Sequence, residues 1–595
     1  MTEYLKSAVS RRRSPRVQSW TLAVIYVFAV ALLFGCAYWF RFDLNNVDGI
    51  SYISIARQYA EGFTATAVNA YWSPMISWLL APLLALGFSG TAGFMLLNAV
   101  FGALGIGMGS LFLWKKTGGN FISTLLFLII STIFFAGTSF ILTPDSFVAV
   151  WVILFFISLS WLDELVDTPG VSNRRIWVGG AVLGMVGVLG YFIKLFIVPV
   201  FSVTVIFWLI IRMWRSDGAT LWARSRPAVL ALVSAAIVVA VIGAPWAIAL
   251  SAKYDKPTIG TSFAVNMEKK FAPTTAEVQA PSVTLEAPPS THAVSFGEDR
   301  SFQVADAPTA GDQGLLSRAT YYLQQRVLAF PYYVSKIGSI APFAVVTFVG
   351  FVLALVFGFA SFRKHRRVAI AGLIGAVYFL GYAAITSAST GGGNSRYYWP
   401  LFLISIMMDA LLLPALWSSL VVRRPGRLRA IAFVALIGLL PIAAAVQHGV
   451  GSSAPFATGH GGDGFRELIA EHNKPSAEQT FAGKELSSVI PPDSRIVGTN
   501  YRSSLRLAYF LDAHVYGRSG ALYIANDPRL LQALRDNKID YYLDFAPVAA
   551  QKQLLAPLGT IVARFLKVQS CNDSKVPTPQ QCLIRVVKVN QGTAG

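Results

Sequence analysis

The sequence predicts a polytopic α-helical membrane protein that carries a soluble α/β domain at its C-terminal end. Three observations lead there. Of 595 residues, 54% are hydrophobic and only 13% are charged, where an ordinary soluble domain has about a quarter charged. Apolar runs recur at the length of roughly 20 residues that crosses a bilayer. The basic residues fall in short clusters between those runs, so the formal net charge of +19 is first an orientation signal. A nucleic-acid partner is excluded on the same ground, because it needs cations gathered on one soluble face. Disorder is excluded by the apolar and aromatic content.

Taken in order, eleven runs qualify as spans: 20–40, 91–114, 121–138, 145–162, 176–193, 195–213, 228–250, 340–362, 368–387, 401–420 and 430–447. The first is long for a signal-peptide core and lacks a small-residue cleavage site, so no cleaved leader is expected. Alternate loops are basic. Lys6, Arg11 to Arg13 and Arg16 begin one side, and Lys115, Lys116, Arg174, Arg175, Arg212, Arg215, Arg224 and Arg226 continue it. Arg363, Lys364, Arg366, Arg367, Arg423, Arg424, Arg427 and Arg429 complete 21 basic residues against five acids, Glu3, Asp163, Glu164, Asp167 and Asp217. The long loop 251–339 on the other side balances eight basic with eight acidic residues. The positive-inside rule then puts the N-terminus in the cytoplasm, and an odd number of spans puts the C-terminus outside, in the cytoplasmic (inner) membrane of the cell envelope.

The expected organisation is a membrane domain over 1–450, with outer loops 41–90 and 251–339, and a soluble extracytoplasmic domain over 451–595. The second outer loop is rich in Pro, Thr, Ala and Ser, is expected to be partly disordered around 272–315 and carries no decodable motif. In the tail, strand-like segments at 495–499, 540–544 and 583–589 and a helical segment at 530–537 suggest a small α/β domain. Cys571 and Cys582 flank a polar stretch between two strand-like runs, and a disulfide there suits an oxidising compartment. Cys36 lies inside the first span and reads as a small apolar core residue. The histidines show no metal-ligand spacing; His448, His460 and His472 fall in a Gly-rich linker.

The first outer loop is the most informative. Arg41-Phe42-Asp43 is followed by Asp48-Gly49-Ile50-Ser51-Tyr52, which opens an amphipathic stretch over 50–62. Ile50, Ile53, Ile55, Ala56, Tyr59 and Ala60 share one face, and such a helix is expected to lie along the membrane surface. Tyr71-Trp72-Ser73-Pro74 then leads into an apolar segment too short to span, read as a re-entrant or interfacial helix.

This order resembles the GT-C membrane glycosyltransferases of the protein O-mannosyltransferase and lipid A aminoarabinose transferase type. Asp48, Tyr52 and Ala56 match that family's Asp-Glu-x-x-Tyr-x-x-x-Ala loop, with Gly49 in place of the second acid and Ser73-Pro74 in place of Pro-Pro. Pro144-Asp145 opens the fourth span like the family's second outer Asp. Lys194 follows a Gly-rich span, Pro245-Trp246 closes the seventh, and Arg396-Tyr397-Tyr398-Trp399-Pro400 is similar to the family's Arg-Tyr-x-x-Pro. The resemblance covers most of residues 20–450.

What the resemblance implies is transfer of a sugar from a polyprenyl-phosphate carrier to an extracytoplasmic hydroxyl on a glycolipid, polysaccharide or protein. Such a transfer needs one carboxylate as general base and cations at the leaving phosphate. A single displacement inverts the anomeric carbon. Asp48 is the expected base, with Asp43 its alternative; Asp48 also suits a helix N-cap. Asp145 is expected to hold the acceptor, orient a cation or cap its span. Lys194, Arg396 and Arg57 are the phosphate candidates, the first because an intramembrane charge is functional by default. Snorkelling, a headgroup anchor and a polar helix face are their respective structural alternatives. Tyr52, Tyr71, Trp72 and Tyr397 are candidates for a sugar or acceptor pocket. Asp409 lies mid-span, facing the bundle interior, without an assigned role. Gly49 in place of an acid favours a metal-free mechanism, with a divalent cation as the alternative. Two other functions compete: a transporter or flippase of lipid-linked sugars, which predicts internal repeats that the chain lacks, and a polymerase or ligase using polyprenyl-diphosphate carriers. A purely structural or recognition role leaves the outer-facing Asp48, Asp145, Lys194 and Arg396 unexplained.

Overall fold

A computed structural model describes residues 15–44, 46–138, 141–214, 221–265, 285–301, 320, 322–329, 331, 333, 362–386, 395–417, 477–517, 527–547, 555, 558–567 and 582–590. In chain order its helices are α1 (Pro15–Trp39), α2 (Val47–Ala60), α3 (Met75–Ala85), α4 (Gly90–Lys116), α5 (Phe121–Thr138), α6 (Asp145–Val166), α7 (Asn173–Ile193), α8 (Ile197–Trp214), α9 (Leu221–Tyr254), α10 (Phe362–Ile385) and α11 (Trp399–Trp417). The tail adds α12 (Ala477–Lys484), α13 (Tyr501–Leu511) and α14 (Pro528–Asp536), with strands β1 (Arg495–Gly498), β2 (His514–Val515), β3 (Tyr541–Pro547), β4 (Gly559–Lys567) and β5 (Cys582–Val589). The chain falls into two compact units. One draws on 1–40, 95–248 and 312–469, the other on 41–94, 249–311 and 470–595.

The first unit is the helical one. Among the described residues eight helices are long and apolar enough to cross a membrane, and α8 is a shorter apolar helix. Nine of the eleven expected spans coincide with α1 and α4 to α11; 430–447 and all but the last residue of 340–362 lie outside the described residues. Helix α1 exposes Trp20, Val27, Phe28 and Tyr38, as a lipid-facing helix does and a soluble one does not. Helix α6 is the opposite, with buried residues all round from Asp145 to Val166. Gly180 and Gly184, one turn apart on α7, face the backbone of Ala231 and Ala235 on α9. A Cβ at either would overlap that backbone, so these glycines let the two helices approach closely, the small-xxx-small device of membrane helices.

Basic residues at the helix ends are tied to the few acids there. Arg212 of α8 reaches Asp163 at 2.6 Å and also pairs with Asp167. Arg366 of α10 pairs with Asp167, Arg367 holds Glu164 at 2.7 Å, and Lys116 of α4 pairs with Glu164. Trp208 donates its indole N–H to Asp163 at 2.9 Å. Three acids at the end of α6 thus gather cations from α4, α8 and α10.

The second unit contains a five-stranded mixed sheet of order β2-β1-β3-β5-β4. β1 pairs parallel with β2 and β3, while β5 pairs antiparallel with β3 and β4. The expected strands at 495–499, 540–544 and 583–589 are β1, β3 and β5, and the expected helix is α14, capped by Asp527 with Pro528 in its first turn. Strand β4 is the strand-like run ahead of Cys571, and strand β2 and helix α13 are not read from the sequence. Asp544 and Arg585 stand opposite each other on β3 and β5 and form a buried ion pair, Nε to Oδ2 2.8 Å. The sheet's core includes Leu285 from the second outer loop, and Ser295 of that loop extends the sheet as a parallel bridge to Val515. The strands flanking Cys571 and Cys582 do pair antiparallel, but Cys571 and the proposed disulfide lie outside the described residues. His448, His460 and His472 lie outside them too.

Candidate functional site

In the helical unit the sequence candidates Asp145, Lys194 and Arg396 come together. Asp145 is the first residue of α6 and is 3% exposed. The cap of α6 is Pro144, without a side-chain hydrogen bond, so the Asp145 carboxylate serves other partners. Lys194 ends α7 with an extended backbone, in the break before α8. That break turns its side chain to Asp145, Nζ to Oδ1 2.8 Å. Arg396 comes from a short 3₁₀ turn, Ser395–Tyr398, ahead of α11, and brings Nε to 3.4 Å from Oδ2. Thr143 donates its hydroxyl to the same oxygen at 3.0 Å.

Among the described residues two cations thus face one carboxylate, and aromatic rings wall the cluster. Tyr397 and Tyr382 stack with planes 7° apart, and Lys194 Nζ stands 4.9 Å from the Tyr397 ring and 5.7 Å from that of Tyr382. The snorkelling alternative for Lys194 does not describe this geometry, because its ammonium is drawn to a buried carboxylate. Tyr382 had no signal in the sequence: a tyrosine inside an apolar run reads as packing. Asp409 lies within α11, half-buried.

In the other unit the first outer loop is built differently from the expected surface helix. Asn46 caps α2, its side chain accepting the Asp48 N–H at 2.8 Å. Asp48 is therefore in the first turn and is not the cap. Its position there is favourable, since a carboxylate offsets the positive helix N-terminus. Asp43 lies half-buried in the connection before α2.

The apolar face over 50–62 is present, but the polar face is buried as well: Ser51, Ser54 and Gln58 are each under 5% exposed. The helix is enclosed instead of lying half in lipid. What covers its polar side is the segment 293–299 of the second outer loop. Ser51 donates to Gly297 O at 3.5 Å and Gln58 Nε2 to Glu298 at 3.1 Å.

Tyr52 is 2% exposed and packs on Trp72, ring centres 5.0 Å apart, and on Phe94. Tyr71 and Trp72 are half-buried and meet edge to face at 4.8 Å. Arg300 stacks on Tyr71, and Trp72 donates its indole N–H to Gly297 O at 3.0 Å. Arg57 is bound inside the unit, Nη1 to Asp512 Oδ1 2.6 Å, beside the Tyr509 ring. Asp512 is the left-handed C-cap of α13, so this pair ties α2 to the tail. Among the described residues no three His, Cys, Asp or Glu side chains gather as a metal site.

No protein-family model matches the chain, and no curated protein sequence matches it. Its fold does match solved structures. It is similar to ArnT from Cupriavidus metallidurans bound to undecaprenyl phosphate, over 96% of this chain and 98% of the other, at TM-score 0.51 and 13% identity. The apo state of ArnT gives TM-score 0.51 and 14% identity over the same shares. Archaeal oligosaccharyltransferase AglB from Archaeoglobus fulgidus, in complex with an inhibitory peptide and a dolichol-phosphate, is similar over 94% of this chain and 75% of its own, at TM-score 0.51 and 10% identity. At these identities the likeness establishes the fold. That fold, polytopic and α-helical with a C-terminal α/β domain, is the one the sequence motifs suggested.

Proposed function

We propose that the protein is an inverting glycosyltransferase that moves a sugar from a polyprenyl-phosphate donor to a hydroxyl of an extracytoplasmic glycan, lipid or protein. The observation that carries this reading is the Asp145–Lys194–Arg396 cluster, in which two cations from separate elements converge on one buried carboxylate in a fold shared with a protein solved with undecaprenyl phosphate.

Each part has a chemical task. The acceptor oxygen attacks the anomeric carbon, and the bond from that carbon to the phosphate oxygen breaks with its electron pair. The departing lipid phosphate is already a weak base, so it needs neutralisation and not a proton. Lys194 and Arg396 supply that, Arg396 through a guanidinium fork suited to phosphate. Asp145 fixes both cations in place before the donor arrives, which is preorganisation of the kind that lowers a barrier. The acceptor proton passes to Asp48 as general base. Tyr71 and Trp72 are the proposed sugar or acceptor contacts.

The test uses purified full-length protein with a labelled polyprenyl-phosphate sugar. Asp48→Asn should lose about 10²- to 10⁴-fold in turnover and keep donor binding; full turnover sinks Asp48 as the base. Arg396→Ala should weaken donor affinity about 10-fold or more, the scale of a hydrogen bond to a charged group. Unchanged affinity in both Arg396→Ala and Lys194→Ala removes the cluster from the phosphate site.

A further inference from the structure

We propose that Glu298 is a positioning residue: it clamps the strap 293–299 onto α2 and thereby fixes the helix that carries Asp48 to the tail domain. The inference rests on the reading of Asp48 as the base. Glu298 is 2% exposed and lies in a loop otherwise without a motif. Its Oε1 accepts the N–H groups of Val294 and Ser295, closing a capping box with Ser295. Its Oε2 accepts Gln58 Nε2 at 3.1 Å, and the Ser54 hydroxyl also bonds the carboxyl. Both side chains come from α2. The strap's backbone holds the next turn of chain, where Asn69 bonds Glu298 O and Trp72 bonds Gly297 O. Its other edge is held by the tail: Val515 N–H donates to Val294 O at 2.7 Å, His514 Nδ1 to Ala293 O at 2.8 Å, and Tyr501 OH to Ser295 Oγ at 3.4 Å.

Among the described residues the donors to the carboxyl are neutral. Among the charged and titratable groups around it, Arg57 of α2 is engaged by Asp512, Tyr501 of α13 bonds Ser295, and Asp299 of the strap accepts from Tyr254. Burial pushes Glu298 up to about 8. Gln58 Oε1 is buried and has no partner among the described residues, and an amide flip would let it accept a hydrogen bond from a neutral group at 298. A carboxylic acid or a carboxamide therefore fits this place, whereas a methyl does not.

Full-length Glu298→Ala and Glu298→Gln, compared by steady-state kinetics and hydrogen exchange over 47–60, test the clamp. Glu298→Ala should lower kcat about tenfold or more, leave donor affinity unchanged and raise exchange over 47–60. Glu298→Gln should keep kcat within about threefold. Unraised exchange in the alanine variant, or a glutamine variant as impaired as the alanine one, overturns the proposal. Should Glu298→Ala fail to fold, Gln58→Met removes the donor from the α2 side and leaves the capping box whole; it should also raise exchange and lower kcat, and wild-type behaviour overturns the clamp. Exchange reports the clamp directly, so full turnover in Asp48→Asn would sink the base and leave the clamp standing or falling on its own result.

Discussion

Asp145 and Glu298 are both carboxyl groups removed from water, at 3% and 2% exposure, and their surroundings solve that problem in opposite ways. Asp145 meets two cations, Lys194 at 2.8 Å and Arg396 at 3.4 Å. Glu298 meets an amide, a hydroxyl and two backbone N–H groups. A charge in a low-dielectric place is tolerated when paired, and a polar group there when hydrogen-bonded. The first arrangement keeps two cations beside one carboxylate; the second holds shape. Removing the charge while keeping the size should therefore be severe at one and mild at the other.

Asp145→Asn should have the largest effect. It removes the buried charge that Lys194 and Arg396 face, and breaking a buried pair costs about 3–5 kcal/mol. Its apparent melting temperature should fall, and added polyprenyl phosphate should restore part of the loss by binding the folded state. An unchanged melting temperature would break the comparison. Asp544→Asn sharpens it, because Asp544 shares a unit with Glu298 but is paired with Arg585. If partner chemistry decides, its cost is again about 3–5 kcal/mol, read from unfolding of the tail.

The pH response should separate the carboxyls next. Glu298 is raised from 4.5 to about 8 by burial, so folding favours its protonated form. Its stabilising contribution is complete below about pH 4.5, declines as pH rises and is gone above about pH 8. Melting of the second unit should follow that decline in the wild type and be flatter in Glu298→Gln. At neutral pH Glu298→Gln itself should stay within about 1 kcal/mol. Arg57→Ala is expected to be smallest, about 0–1 kcal/mol, since its pair with Asp512 is partly in water; a loss comparable to Asp145→Asn would contradict the exposure argument.

The helices were legible because a bilayer-length apolar run has few other readings, and α4 to α9 begin or end within a few residues of the expected spans. The membership of the cluster was legible too: Asp145, Lys194 and Arg396 each stood out at the end of an apolar run. Their pairing was not, since it depends on how three helices separated in sequence are set against one another. At α2 the apolar spacing was right and the environment wrong. Ser51, Ser54 and Gln58 look like a water-facing stripe, and only their partners, some 240 residues later, show otherwise. Asn46 rather than Asp48 takes the cap because both suit it and local sequence does not choose. Strand β2 has two residues, too short to carry a period.

The strap also sets the order in which a growing chain can become competent. The second unit is assembled from 41–94, 249–311 and 470–595. When α2 first emerges, Ser51, Ser54 and Gln58 have none of their strap partners. When the strap follows, its other edge still lacks Val515 and Tyr501. Contacts this distant form late, and the last of them waits for the tail to be synthesised. The helix bearing Asp48 is thus finished only when the tail has followed the membrane helices, so a truncated or stalled chain can hold a set of membrane helices without the proposed base being ordered.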